Sequence, residues 1–213
     1  MLKTVAIFVY DPKCSVQSSN GIINALNHQY NIKLFSKNEL EDGFFNNVDA
    51  VVVPGGFGDA DSYDSLFKYN GRAVKKYIKS GGRYLGICMG AYWASSLYLN
   101  ILDDVEAVQY LKRPKTDTRR PHAKNMSITW RGDDMNMFWY DGCALIGDGK
   151  KEVVATYSNG DAMAIIQNRI GLIGCHPESE QFWYDSYSWM KGKYHNGTHH
   201  KLLLDFVNEL MEK

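Results

Sequence analysis

Three short stretches of this sequence combine residue types that can do nucleophilic chemistry. The first is Arg83 to Asn100, RYLGICMGAYWASSLYLN. A short apolar run, Tyr84-Leu85-Gly86-Ile87, reads as a buried strand. Cys88, Met89 and Gly90 follow, and then a helix-like segment with small residues at Ala91, Ala94 and Ser95. Strand, G-x-C-x-G, helix is the order expected of a nucleophile on a sharp turn, where crowding demands glycine on either side. The helix that starts there aims amide N–H groups and its positive dipole end at the sulfur, which favours thiolate over thiol. Taken alone, the pattern fits a buried core cysteine as well as a nucleophile.

The second stretch is Pro54-Gly55-Gly56-Phe57-Gly58-Asp59, directly after the apolar run Val48 to Val53. Its glycines fit either a tight turn needing positive φ or a loop whose bare N–H groups approach a ligand. In an open α/β sheet this loop falls at the carboxyl end of its strand, where ligands bind. It could supply one donor to an oxyanion, with the N–H of Met89 as a second. The third stretch is RIGLIGC running into His176-Pro177-Glu178. A cysteine nucleophile needs a base, and the base needs a group to orient it. His176 follows a buried strand and so falls at the same end of the sheet as Cys88. In an extended segment residues i and i+2 point the same way, and Pro177 keeps the segment extended. Glu178 can therefore hold the His176 imidazole in one tautomer.

The elements that must position these groups are legible as an α/β pattern. Lys3 to Tyr10, Asn31 to Phe35 and Val48 to Val53 read as strands, and Ser15 to Asn27 as a helix with Ser or Asn available to cap it. A helix over Gly71 to Ser80 ends at Gly81-Gly82. The Cys88 strand and a helix fading near Asn100 follow. Leu102 to Asn125 is polar and carries no clear period. Strands are then expected at Met126 to Arg131, Asn136 to Tyr140, Glu152 to Tyr157, Ala162 to Gln167 and Ile170 to Cys175, separated by turn signals. These form an antiparallel addition to a mostly parallel sheet. A helix over Glu180 to Met190 carries an aromatic stripe that reads as core or a packed lid. An amphipathic helix over His199 to Leu210, with Thr198 as its cap, closes the pattern. His195, His199 and His200 lack a metal-ligand pattern and read as a solvated helix end.

The chain has 213 residues and no linker-like or repeated segment, which points to one domain over 1–213. It carries 24 basic and 24 acidic residues, a balance that argues against a general nucleic-acid-binding face. The local basic run Lys112 to Arg120 reads as a solvated loop, with contact to an anionic group as the functional alternative. The N-terminal apolar run is too short for a signal peptide, and no segment is long enough to span a membrane. Cys14, Cys88, Cys143 and Cys175 are scattered without a C-x-x-C pair, so neither a disulfide framework nor a structural zinc site is expected. A reducing, cytoplasmic compartment follows as the expectation. Cys14 reads as a buried loop thiol, with a place near Cys88 as the alternative.

PGGFGD, LGICMGA and GCHPE, in this order, resemble the class I glutamine amidotransferases with their Cys–His–Glu triad. GGRYLGICMGAYWAS, MNMFWYDGCALIGD, KEVVATYSNGDAMAII, RIGLIGCHPE and the opening VYDPKCSVQSS are similar to the amidotransferase-like N-terminal domain of biotin–protein ligases. The resemblance implies a flavodoxin-like three-layer α/β sandwich without a cofactor. It makes Cys88 the nucleophile, His176 the base and Glu178 the orienting carboxylate, with Gly55, Gly56 and Met89 as oxyanion-side backbone. Tyr92 stands where class I amidotransferases usually carry a glutamine that helps hold substrate, a departure common in the biotin-ligase type. The implied substrate is a small-molecule amide or γ-glutamyl compound, with a synthetase or ligase as possible partner. Biotin ligation is not expected, since no glycine/arginine-rich biotinyl-adenylate loop is present. A non-catalytic binding or regulatory module, and a cysteine peptidase or γ-glutamyl hydrolase of the same fold, are the alternatives.

Overall fold

The first strand shows how the sheet is covered. A computed structural model describes residues 2–10, 16–36, 38–39, 43–56 and 60–213. In β1 (Thr4–Phe8), successive side chains alternate between two cores, as strand geometry requires. Val5 and Ile7 pack with Ile22 and Leu26 of α1 (Val16–Leu26) and with Leu203, Phe206 and Val207 of α5 (Thr198–Leu210). Ala6 and Phe8 pack on the other face with Val74 and Tyr77 of α2 (Ala60–Lys79) and Trp93 of α3 (Met89–Trp93). The sheet therefore lies between two helical layers.

Five strands form its parallel half, in the order β2 (Asn31–Phe35), β1, β3 (Ala50–Val53), β4 (Arg83–Ile87) and β11 (Ile170–Ile173). β3 and β4 are buried along almost their whole length, which fits their continuous apolar runs. Pairing Val53 with Gly86, and Ile87 with Ile173, brings β3, β4 and β11 to their carboxyl ends at one level. An antiparallel extension continues from β11 through β10 (Ala162–Gln167), β9 (Glu152–Tyr157), β6 (Lys124–Trp130) and β7 (Asp133–Trp139). A further pair, β5 (Glu106–Gln109) and β8 (Cys143–Ile146), branches from β10.

Several elements differ from expectation. β5 falls in the stretch without a clear period: it is only half-buried and too short to show alternation. β8 is four apolar residues between two turn signals, a run shorter than its flanks suggest. α2 begins at Ala60 and passes through Gly71, so tertiary packing overrides the glycine. The helix after Cys88 stops at Trp93, and the helical part of the aromatic segment is only α4 (Gln181–Asp185). Thr198 is not the cap of α5: Gly197 occupies that place in a left-handed conformation, while the Thr198 hydroxyl donates to the His195 carbonyl at 2.8 Å. Cys14 and Phe57-Gly58-Asp59 lie outside the described residues. The described cysteines are free and buried. Among the described residues no helix is long and apolar enough to cross a membrane.

Candidate active site

The level carboxyl ends of β3, β4 and β11 put three loops side by side. Cys88, between β4 and α3, has φ +49° and ψ −100°, a conformation rare and strained for a non-glycine residue. Its N–H donates to the Ile173 carbonyl at 2.8 Å, and its own carbonyl accepts from Ala91 and Tyr92. A Cβ on Gly86 would lie 2.3 Å from the Gly90 carbonyl oxygen, and one on Gly90 would lie 2.0 Å from the Val53 oxygen. Crowding thus requires both glycines of the elbow.

His176 leaves β11 with its N–H donating to the Phe138 carbonyl at 2.8 Å. Its ring is buried between Phe138 and Trp183, with centroids 6.0 and 5.4 Å away. Nδ1 lies 2.8 Å from Glu178 Oε1, and Glu178 is fully buried. A carboxylate only accepts, so Nδ1 carries the proton and Nε2 is left to the Cys88 side. Burial opposes a charge on this imidazole. The negative Glu178 and the adjacent Cys88 sulfur outweigh it and push the His176 pKa up to about 10.

Ser18 is a site residue that the sequence reading missed. Its hydroxyl donates to Glu178 Oε1 at 2.6 Å and accepts the Gly55 N–H at 3.0 Å. One buried serine of α1 thus ties the orienting carboxylate to the glycine loop. Further along the same helix, the Asn24 amide donates to Glu180 Oε1 at 2.5 Å. Gly55 consequently differs from expectation. Its N–H is committed to Ser18, and its bare Cα makes room for the base, since a Cβ there would lie 2.7 Å from His176 Cε1. The Met89 N–H has no acceptor among the described residues. Gly56 lines the cleft beside Cys88. Tyr92 lines it too, with its hydroxyl donating to the Asp141 carbonyl at 3.2 Å.

The three late histidines are not a solvated helix end. His195 and His199 stack at 4.2 Å, and His199 is buried. His195 Nε2 lies 2.8 Å from the Ser179 carbonyl, and His200 Nε2 lies 3.2 Å from the carbonyls of Glu178 and Ser179. These rings hold the backbone beneath Glu178. Burial first, then mutual repulsion, lowers the His199 pKa to about 3. Burial likewise lowers His195 to about 4. No metal-binding group of side chains forms among the described residues.

The cleft over Cys88 has a volume of about 940 Å³. Phe138, Tyr140, Phe182, Trp183 and Tyr187 form an aromatic wall, and Gln109, Lys112 and Asp141 a polar end. Burial raises the Asp141 pKa against a 3.0 Å hydrogen bond from Gln109 and the charge of Lys112. The chemistry this arrangement allows is attack by a thiol whose proton passes through an oriented imidazole, on a substrate held in a mostly aromatic cleft.

Residues 6–105 match a family model described as biotin-protein ligase, N terminal. No curated protein matches the sequence. Among solved structures, PurLQS from Thermotoga maritima is similar at 14% identity and a TM-score of 0.68, over 99% of this chain and 100% of that one. A glutamine amidotransferase from the same organism superposes at 12% identity and a TM-score of 0.69, covering 100% of both chains. A further glutamine amidotransferase gives 16% identity and a TM-score of 0.66, over 98% of this chain and 99% of that one. The chain thus has the flavodoxin-like fold of the class I glutamine amidotransferases, and its first part resembles the N-terminal domain of biotin–protein ligases.

Proposed function

We propose that this protein is a cysteine-nucleophile amidohydrolase or amidotransferase-like enzyme acting through Cys88, His176 and Glu178. The observation that carries the reading is the buried chain of hydrogen bonds from Ser18 and His176 to Glu178, ending on the imidazole that faces Cys88. A positive imidazolium beside a sulfur is the arrangement that stabilises a thiolate. The Cys88 sulfur attacks the amide carbonyl carbon, a C–S bond forms, and the carbonyl electron pair moves to oxygen. The Met89 N–H, with the Gly56 backbone opposite, receives that oxyanion. Collapse breaks the C–N bond, and the nitrogen leaves with a proton from His176 as ammonia or an amine. Water then attacks the thioester and gives a proton to His176. The C–S bond breaks, and the product is a carboxylic acid.

The size of the cleft favours one alternative for the substrate. Pockets of roughly 300–1,000 Å³ suit drug-sized ligands, and about 940 Å³ lies at the upper end. An amide within a larger molecule, such as a γ-glutamyl peptide, fills this space better than free glutamine. A glutamine-mimicking chloroketone followed by intact-mass measurement tests the reading. One adduct is expected on the wild type and none on Cys88→Ala. Labelling no faster than with iodoacetamide, or turnover unchanged in Cys88→Ala, overturns it and leaves a non-catalytic module of the biotin-ligase type.

A further inference from the structure

The basic run Lys112 to Arg120 is only partly absorbed by the cleft over Cys88. Lys112 lines that cleft, and Arg113 pairs with Asp161 at 2.8 Å. Arg119 and Arg120 are exposed, and among the described residues neither guanidinium has a hydrogen bond or ion pair. Arg83, Arg113, Arg131 and Arg169, by contrast, each donate to a carbonyl or a carboxylate. Arg119 and Arg120 both line a second cavity, of about 430 Å³. It borders the segment that also walls the catalytic cleft: Tyr187 lines the cleft, while Trp189 and Met190 line the second cavity.

Two features of this cavity point to one ligand chemistry. The first is charge. Its acidic residue, Asp117, is already paired with Lys124 at 3.3 Å, which leaves Arg119, Arg120 and Lys193 without an anion among the described residues. Two forked guanidiniums suit the bidentate recognition of phosphate. The second is a flat apolar surface. Trp189 is 54% exposed, yet its ring is fixed by an Nε1–H bond to the Ala123 carbonyl at 2.9 Å and by contact with Tyr187 at 5.2 Å. An exposed, held indole is a stacking platform for a planar base.

We propose that this cavity binds a nucleotide, with the phosphates on Arg119 and Arg120 and the base against Trp189. The site is independent of the chemistry assigned to Cys88. Equilibrium dialysis with labelled ADP, adenosine and pyrophosphate tests it. ADP is expected to saturate and to bind at least tenfold more tightly than either of the others. Arg119→Ala combined with Arg120→Ala should weaken ADP at least tenfold and leave adenosine unchanged. Trp189→Ala should weaken ADP and adenosine but not pyrophosphate. Cys88→Ala should bind ADP as the wild type does, so failure of the proposed enzyme and failure of this site are separable. Thermal melts of each variant check folding. If the alanine pair melts early, Arg119→Lys with Arg120→Lys keeps the charge, removes the fork and should still weaken ADP. ADP binding no tighter than pyrophosphate, non-saturable ADP binding, or indifference to the arginine substitutions overturns the proposal.

Discussion

Ser18 does at the residue scale what no catalytic motif announces. Its hydroxyl leaves Glu178 Oε1 with two donors and fixes the Gly55 backbone that borders His176. A hydrogen bond to a charged group is worth about 1.5–3 kcal/mol, and as a loss in the transition state that is roughly ten- to a hundredfold in rate. Ser18→Ala is therefore expected to lower kcat by that factor with little change in KM, as steady-state kinetics on a γ-glutamyl substrate would show. A merely structural loss would instead lower the melting temperature without moving the pH profile. That Cys88, His176 and Glu178 come together was legible because Cys88 and His176 each follow an apolar strand, beside glycine or proline. Ser18 was not, because a serine inside a helix looks like any other polar helix residue until its partner, 160 positions away, is in place.

At the scale of elements, the elbow between β4 and α3 sets the tolerance of the site. A methyl group on Gly90 would meet the Val53 carbonyl, which is backbone and cannot yield easily. Overpacking of this kind costs about 1–3 kcal/mol. Gly90→Ala should lower the denaturation midpoint accordingly and displace the Cys88 loop, so that electrophile labelling slows as well. The same scale shows what pattern reading can resolve. β2, β9 and β10 match their expected bounds because polar or turn residues bound each of them on both sides. β5 escaped because it is half-buried throughout and shows no alternation, and β8 because only four residues separate its flanking turn signals. α5 was expected to begin in solvent, yet His199 and His195 pack beneath Glu178, a contact that depends on tertiary structure alone.

For the whole molecule, the histidines give stability a pH optimum. His176 is raised from 6.5 to about 10, so between those values the folded state holds a proton that the unfolded chain has lost. Its contribution is complete below pH 6.5 and disappears as pH rises through about 10. His195 and His199 are lowered to about 4 and about 3, so below pH 6.5 the unfolded chain takes up protons that the folded state refuses. Stability falls on that side too, as pH drops from 6.5 toward 3. Each proton of difference changes stability by at most about 1.4 kcal/mol per pH unit. Denaturant titrations from pH 4 to 10 should therefore peak near pH 6.5. His176→Gln should flatten the alkaline limb alone, and His199→Gln the acid limb.

A second whole-molecule contact joins α5 to the sheet. Arg131, after β6, donates to Glu152 of β9 and to Glu209 of α5. These groups are partly exposed, so Arg131→Ala should cost no more than about 1 kcal/mol, and less as salt is added. Melts at low and high ionic strength would show the difference shrinking.

The order of the chain across the parallel sheet has a practical consequence. β11 inserts beside β4 after more than eighty intervening residues, so the thiol and the imidazole come from distant parts of the polypeptide. Ser18, Gly55 and Cys88 lie within the matched residues 6–105, whereas His176 and Glu178 lie beyond them. Relatives detected through that first part alone can carry the elbow cysteine and lack the histidine and glutamate. Under the chemistry proposed for Cys88, active and inactive members of such a group differ at the short His-Pro-Glu signature downstream rather than at the cysteine.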